Sequence, residues 1–190
     1  YSHAGAVPRA FRHDEVFAAV EFARVLEEHW NQRDADGIDF VCTMGEFHTN
    51  PTHHAMTKIS GELQFTMDIR SLDNDVLLET DAYLREQAER ISQERGVTID
   101  LGEFTNAKPG IMDADLRAIL QDQVEKLGIP AMNLSSGAGH DCATFANEGV
   151  PTAMIFIRND KGSHNADETM EIEDFAEATR LLVAFLKELG

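Results

Sequence analysis

The side chains whose types and spacing could do chemistry gather between Ser135 and Glu168, S-S-G-A-G-H-D-C-A-T-F-A-N-E-G-V-P-T-A-M-I-F-I-R-N-D-K-G-S-H-N-A-D-E. The first polar loop there holds Gly137, Gly139, His140 and Asp141; the second holds Gly162, His164 and Glu168. Imidazoles and carboxylates ligate metals and move protons, and glycines let the backbone approach a ligand closely. A metal centre takes about three or four protein ligands. These two loops alone do not supply them, so the pattern points to one pocket containing His140, Asp141 and His164 and to ligands drawn from elsewhere.

The elements that would position these loops can be read around them. Thr152 to Ile157 has the apolar content and length of a buried strand, and Ala131 to Leu134 reads as a second. A short helix from His140 and Asp141, broken at Gly149-Val150-Pro151, joins the two. Parallel strands connected through a helix send both loops from one carboxyl edge, where open α/β sheets place their sites. Asp113 opens an amphipathic helix with Leu116, Ile119, Leu120, Val124 and Leu127 on one face. A last helix, Glu171 to Leu189, is expected to bury Ile172, Phe175, Leu182, Leu186 and Leu189. Two strands are too few for an independent α/β domain.

The amino-terminal part has a different rhythm. Asp14 caps a helix expected to run to about Trp30, with Val16, Val20, Ala23 and Trp30 at helical spacing, broken between Arg33 and Gly37. Residues 38–49 and 57–72 read as strands, the second alternating through Leu63, Phe65, Met67 and Ile69. His48, His53 and His54 lie in the intervening H-T-N-P-T-H-H, which is a turn before it is a metal site. Asp73 or Asn74 caps a helix to Arg95 with Leu77, Leu84, Ala88 and Ile91 on one face, and Gly96 ends it. Val97 to Phe104 alternates as a strand. The order is that of a ferredoxin-like α+β sandwich lacking its first strand, which is expected just before Tyr1. A boundary falls in Asn106 to Gly110, dividing the chain into residues 1–107 and 108–190. The opening on Tyr1 leads us to expect a processed or truncated chain.

Composition narrows the partners. The 190 residues are 43% hydrophobic, enough for a core, and no apolar run approaches a membrane span. Acidic residues outnumber basic ones 34 to 16, a formal net charge of −18. Such a field repels phosphate backbones and anionic membrane surfaces, so neither nucleic acid nor membrane is an expected partner. It also requires a local cation wherever an anionic substrate binds. Cys42 and Cys142 form no C-x-x-C pair, and reduced thiols in a cytoplasmic protein are the expectation.

Four motifs together resemble one family. They are His3-Ala4-Gly5 with Pro8, Arg12 and Asp14; Asp68-Ile69-Arg70; Ser136-Gly137-Ala138-Gly139-His140-Asp141; and Gly162-Ser163-His164-Asn165 followed by Glu168. In order and spacing they are similar to the carboxyl-terminal half of M20-type binuclear metal amidohydrolases. The matching branch is that of hydantoinase/carbamoylase enzymes, which includes N-carbamoyl-L-amino-acid hydrolases, allantoate amidohydrolases and β-ureidopropionases. The resemblance implies a lid and dimerisation domain followed by a fragment of a doubly wound α/β metallohydrolase domain.

It also implies roles. His164 would be a metal ligand, one of those holding two divalent ions (zinc, manganese, nickel or cobalt) in the intact enzyme. His3 would be catalytic, stabilising the oxyanion in the partner subunit's site. Arg70 would grip the substrate carboxylate, while Gly137, Ala138, Gly139 and His140 would line the substrate site, with Asp141 and Glu168 in support. The chain departs from the family at Thr57, where Asn is common, at Arg9, where Met is usual, and at Ala166, where Pro is usual. The implied activity is metal-dependent hydrolysis of a C–N bond in a small carboxylate-bearing ureido compound by a homodimer. An M20 peptidase or aminoacylase, or an inactive dimerisation or binding fragment, are the alternatives.

Overall fold

A computed structural model describes residues 1–103, 105 and 107–190. Phe104 and Asn106, at the ends of the expected strand and boundary, lie outside the described residues. The protein is α+β and divides into two compact units, Tyr1–Ala107 and Lys108–Gly190.

Unit 1 begins with β1 (Ser2–His3) and a 3-10 turn at Arg9–Phe11, then α1 (Glu15–Ala35). Asp14 starts α1 by accepting hydrogen bonds from the Val16 and Phe17 amides, which satisfies two otherwise orphaned donors of the first turn. The helix runs past the expected stop at Trp30, because Arg33 and Asp34 continue it as ordinary helix formers, and the chain turns only at Gly37, with φ 71°. Its buried face is also rotated from the expected one. Ala18, Ala19, Phe22, Val25 and Leu26 are buried, while Val20 and Trp30 are exposed. Large apolar residues lie all round this helix, so periodicity alone does not select the face.

The strands β2 (Val41–Thr43), β3 (Phe47–Thr49), β4 (Lys58–Ile59), β5 (Leu63–Phe65) and β6 (Asp68–Arg70) form three antiparallel two-stranded ladders, β1 with β4, β2 with β6, and β3 with β5. The last two belong to one long hairpin, whose register changes on the way. Thr43 pairs with Asp68, yet Phe47 pairs with Phe65, so Met44, Gly45 and Glu46 stand opposite only Thr66 and Met67. That is a one-residue bulge. It is tied by Glu46 N–H donating to Thr66 Oγ1 (3.0 Å) and Thr66 N–H donating to the Glu46 carbonyl (3.1 Å). The expected alternation holds on the far strand, where Leu63, Phe65, Met67 and Ile69 are half-buried and Gln64, Thr66, Asp68 and Arg70 are exposed.

Helix α2 (Asn74–Arg95) follows the sequence reading closely. Asp73 caps it, Gly96 at φ 64° ends it, and Leu77, Leu84, Ala88 and Ile91 are buried. The core of the unit joins Phe22, Val25 and Leu26 of α1 to Leu84, Ala88 and Ile91 of α2 over Phe40 and Cys42. Val97, Ile99 and Leu101 pack against this core, but the expected strand 97–104 makes no ladder among the described residues. A strand needs a neighbour on its edge, and among the described residues no strand is hydrogen-bonded to it. A small cavity of about 60 Å³ separates it from β5, lined by Glu15, Ala18, Ala19, Leu63, Phe65 and residues 97–100. Glu15 Oε2 is buried with no hydrogen-bond partner.

Unit 2 contains α3 (Ala114–Leu127), α4 (Asp141–Asn147) and α5 (Ile172–Leu189). Asp113 caps α3 through Leu116 N–H (2.8 Å) and donates its own N–H to the Thr152 carbonyl (2.8 Å). Gly128, at φ 65°, closes its other end. The two expected strands, 131–134 and 152–157, form no ladder among the described residues, which here hold only the isolated bridge between Asp160 and Thr169. A doubly wound sheet is therefore not observed. The expected burial along α5 is corrected too: Leu181 is buried, whereas Ile172, Phe175, Leu182, Leu186 and Leu189 are exposed, Ile172 at 68%. With α3 as its packing partner, the rest of the apolar face of α5 is left exposed by the described residues. No helix among the described residues is long and apolar enough to cross a membrane.

Candidate active site

In unit 1 the residues of the first motif are held by backbone pairing. His3 lies in β1 opposite Lys58, and its Nδ1 accepts the Gly5 N–H at 3.2 Å. That order is more than a position so near the chain start leads one to expect. Arg12 turns toward the loop after His3 rather than toward Asp14. Its guanidinium donates to the Val7 carbonyl (2.9 Å) and to the Ala4 carbonyl, so it folds the loop after His3 onto itself. Backbone acceptors of this kind leave no trace in sequence spacing.

Arg70 ends β6, paired with Val41. Its Nε donates to both oxygens of Asp68 (3.0 and 2.9 Å), two residues back on the same face of the strand. This hydrogen bond to Arg70 holds the Asp68 carboxyl below the usual carboxylate range. The side chains are 44% and 53% exposed, so solvent screening limits the pair to about 0–1 kcal/mol. His48 sits in β3, while His54 Nδ1 lies 2.8 Å from Thr49 Oγ1 and the His53 ring packs on Tyr1 at 5.1 Å. Nowhere among the described residues do three or more His, Cys, Asp or Glu side chains gather as metal ligands.

In unit 2 the glycine turn leads into α4, with His140 at its N-cap position. His140 makes no side-chain capping bond. Its Nε2 instead lies 2.8 Å from Ser136 Oγ, and its ring meets Phe156 edge-on at 5.6 Å. The Ala138 N–H, expected to face substrate, donates to Ser136 Oγ at 3.2 Å. The tightness of the turn brings the serine hydroxyl back under its own backbone. Ser136 stands in the motif, but sequence reasoning gave it no role; a hydroxyl four residues before a histidine across two glycines was the available signal. Gly139 faces open space, and Asp141 is the first residue of α4. Gly110 lies so close to α4 that an added Cβ would sit 2.4 Å from Ala143 Cα, and Asn147 Nδ2 donates to the Lys108 carbonyl at 3.1 Å.

His164 occupies the second loop with φ 61°, a left-handed conformation costly for a residue with a Cβ. Glu168 holds it there, one oxygen accepting the His164 N–H (3.0 Å) and the other accepting from Asn159 Nδ2 (2.7 Å). Asn159, then the His164 amide, keep the Glu168 carboxyl below its ordinary range. Glu168 thus shapes the loop with both oxygens. No hydrogen bond or ring contact joins His140 to His164 among the described residues. The described residues by themselves do not compose a binuclear metal centre.

Comparison with known proteins gives these motifs their context. Residues 4–188 match the family model described as Peptidase family M20/M25/M40. The chain is 32% identical over 190 residues to an allantoate amidohydrolase of Escherichia coli (strain K12), covering 100% of this chain and 45% of that protein. It is 29% identical over 181 residues to an N-carbamoyl-L-amino acid amidohydrolase of Geobacillus stearothermophilus, covering 95% and 42%. Among solved structures it is similar to a hydantoinase/carbamoylase family amidase from Burkholderia multivorans, with TM-score 0.86, 29% identity and 98% and 44% coverage. The chain spans less than half the length of these relatives. With nearly every residue inside the matched region, the chain belongs to the peptidase family M20/M25/M40.

Proposed function

We propose that this chain is part of a hydrolase that cleaves a C–N bond in a small ureido compound bearing a carboxylate, releasing the amino acid, ammonia and carbon dioxide. One observation carries the reading: relatives named for allantoate and for N-carbamoyl amino acids align along 95–100% of this chain. The half-exposed Arg70 guanidinium supports it, supplying the local cation that a chain of net charge −18 needs for an anionic substrate. His3 would act on the developing oxyanion, where an N–H donor is worth a few kcal/mol of barrier. The family resemblance implies two divalent ions, with His164 as one ligand. Such ions would supply an activated water; no step is derived through them from this chain.

The finer architecture belongs to the same proposal. We read unit 1 as a ferredoxin-like lid. We read unit 2 as a portion of a doubly wound catalytic domain and the intact enzyme as a homodimer through its lids. The outer edges of β2 and β3 carry no ladder partner among the described residues, and edge-to-edge pairing about a two-fold axis would cover them.

The test is steady-state kinetics of the full-length protein, using an N-carbamoyl amino acid and its carboxyl-amidated analogue. A charge-assisted fork contributes about 1.5–3 kcal/mol, so Arg70→Lys should raise KM roughly ten- to a hundredfold for the acid alone. Equal effects on both substrates would remove Arg70 from the carboxylate. Absence of ureido hydrolysis by the wild-type enzyme, with an N-acyl amino acid cleaved instead, would replace this reading with the aminoacylase one.

A further inference from the structure

We propose that Ser136 is a positioning residue that fixes the tautomer of His140, keeping the ring proton on Nδ1 as a donor for the substrate. The substrate half of this statement rests on the function proposed above; the tautomer half does not.

A serine hydroxyl has one proton to give and two lone pairs to receive with. The Ala138 N–H occupies one lone pair of Ser136 Oγ at 3.2 Å. The same oxygen lies 2.8 Å from His140 Nε2. Ala138 can only donate, and no acceptor other than Nε2 meets this hydroxyl among the described residues, so the hydroxyl proton is assigned to the imidazole and Nε2 becomes the acceptor. A neutral imidazole carries its proton on one nitrogen and a lone pair on the other. An acceptor Nε2 therefore means a protonated Nδ1. This is the opposite of the tautomer that an unrestrained neutral histidine side chain prefers in water.

Two further observations show that the ring is held rather than loosely placed. His140 stands at the N-cap of α4 in extended backbone, φ −131° and ψ 149°, a position where a side chain commonly caps the first turn, yet it makes no capping bond. The edge of its ring meets Phe156 at 5.6 Å and 63°. One nitrogen tied to Ser136, with an aromatic neighbour against the ring, leaves a rigid imidazole with a defined donor nitrogen. An oxygen-rich ureido acid offers carboxylate and carbonyl acceptors, which is the chemistry such a donor recognises.

The experiment is nitrogen-15 NMR of the histidine rings in this 190-residue chain, recorded with the imidazoles neutral. Wild type is expected to show His140 protonated at Nδ1, Ser136→Ala to revert to protonation at Nε2, and Ser136→Thr, which keeps the hydroxyl, to retain the wild-type pattern. Protonation at Nε2 in wild type, or an unchanged tautomer in Ser136→Ala, overturns the proposal. The wild-type spectrum decides this even if Ser136→Ala fails to fold. In full-length enzyme, Ser136→Ala should raise KM for an N-carbamoyl amino acid roughly tenfold, the worth of one directed hydrogen bond, with kcat little changed and Ser136→Thr restoring it. A flipped tautomer with unaltered KM would overturn the donor role while leaving the ureido reading intact. Failure of the ureido reading would instead appear as no wild-type turnover, with the ring spectra unaffected.

Discussion

Gly110 offers a sharp test of how the His140 loop is supported. Its backbone is not in the left-handed region, so an alanine there meets no conformational penalty, only a contact. The new Cβ would stand 2.4 Å from Ala143 Cα and 2.5 Å from Ala143 Cβ, whereas ordinary contact begins at 3.4 Å. Because the nearer atom is backbone, no rotamer change relieves it, and α4 or the approaching chain must move by about 1 Å. Overpacking of this size costs about 1–3 kcal/mol. We expect Gly110→Ala to lower the urea midpoint by that equivalent at an unchanged slope, and to shift the ring resonances of His140, which begins the same helix. Ala143→Gly removes the Cβ contact but leaves the Cα one. A double-mutant cycle should therefore recover less than half of the Gly110→Ala cost. A Gly110→Ala chain within about 0.5 kcal/mol of wild type would refute the close approach, and full recovery by Ala143→Gly would refute the claim that backbone is what Gly110 avoids.

Three other outcomes follow from the same structure. His29 stacks on Tyr83 at 4.7 Å and its Nε2 accepts from Arg33 at 3.3 Å; burial first, then Arg33, push its pKa below the ordinary value. The unfolded chain thus takes up the proton first. Stability is full above about pH 6.5 and falls as pH drops toward the lower folded value; His29→Gln should flatten that slope in thermal melts, and parallel curves would refute it. Glu168 has a lowered carboxyl, so its hold on the His164 amide persists at neutral pH and is lost as pH falls through its folded value. Faster hydrogen exchange at His164, in acid or in Glu168→Ala, checks this, and equal protection of that amide throughout would count against it. Ile91, fully buried between α1 and α2, should cost about 2–5 kcal/mol when changed to Ala, measured by denaturant unfolding; a loss under 1 kcal/mol would place it outside the core.

The sequence was most legible where local signals agree. Asp73, the four apolar positions of α2 and Gly96 all specify one helix with one face, and the structure has it. In α1 the cap was readable but the face was not, since Phe17 and Val20 are as apolar as Phe22 and Val25 yet lie outside. Residues 152–157 show a different limit. Their apolar character announces burial, but a ladder depends on a neighbour whose presence no property of the segment encodes. At the candidate site, His140, His164 and Arg70 were visible as residue types. What Ser136, Arg12 and Gly110 do was not, because they act on ring nitrogens, carbonyls and a helix backbone rather than through a spacing rule.

The bulge at Met44–Glu46 has a consequence for how this hairpin tolerates change in length. A strand loses its sidedness when one residue is inserted or removed, since every later side chain then changes face. Here the surplus residue is already absorbed. Removing Gly45 alone would leave Met44 opposite Met67 and Glu46 opposite Thr66, with Cys42 still across from Ile69 and Phe47 still across from Phe65. The hairpin would straighten and lose some twist, re-aiming the Arg70 end of β6 without turning any core residue outward. A single deletion anywhere in Phe47–Thr49 has no such escape. The hairpin is thus punctuated like a sentence with one optional word, and that word is Gly45.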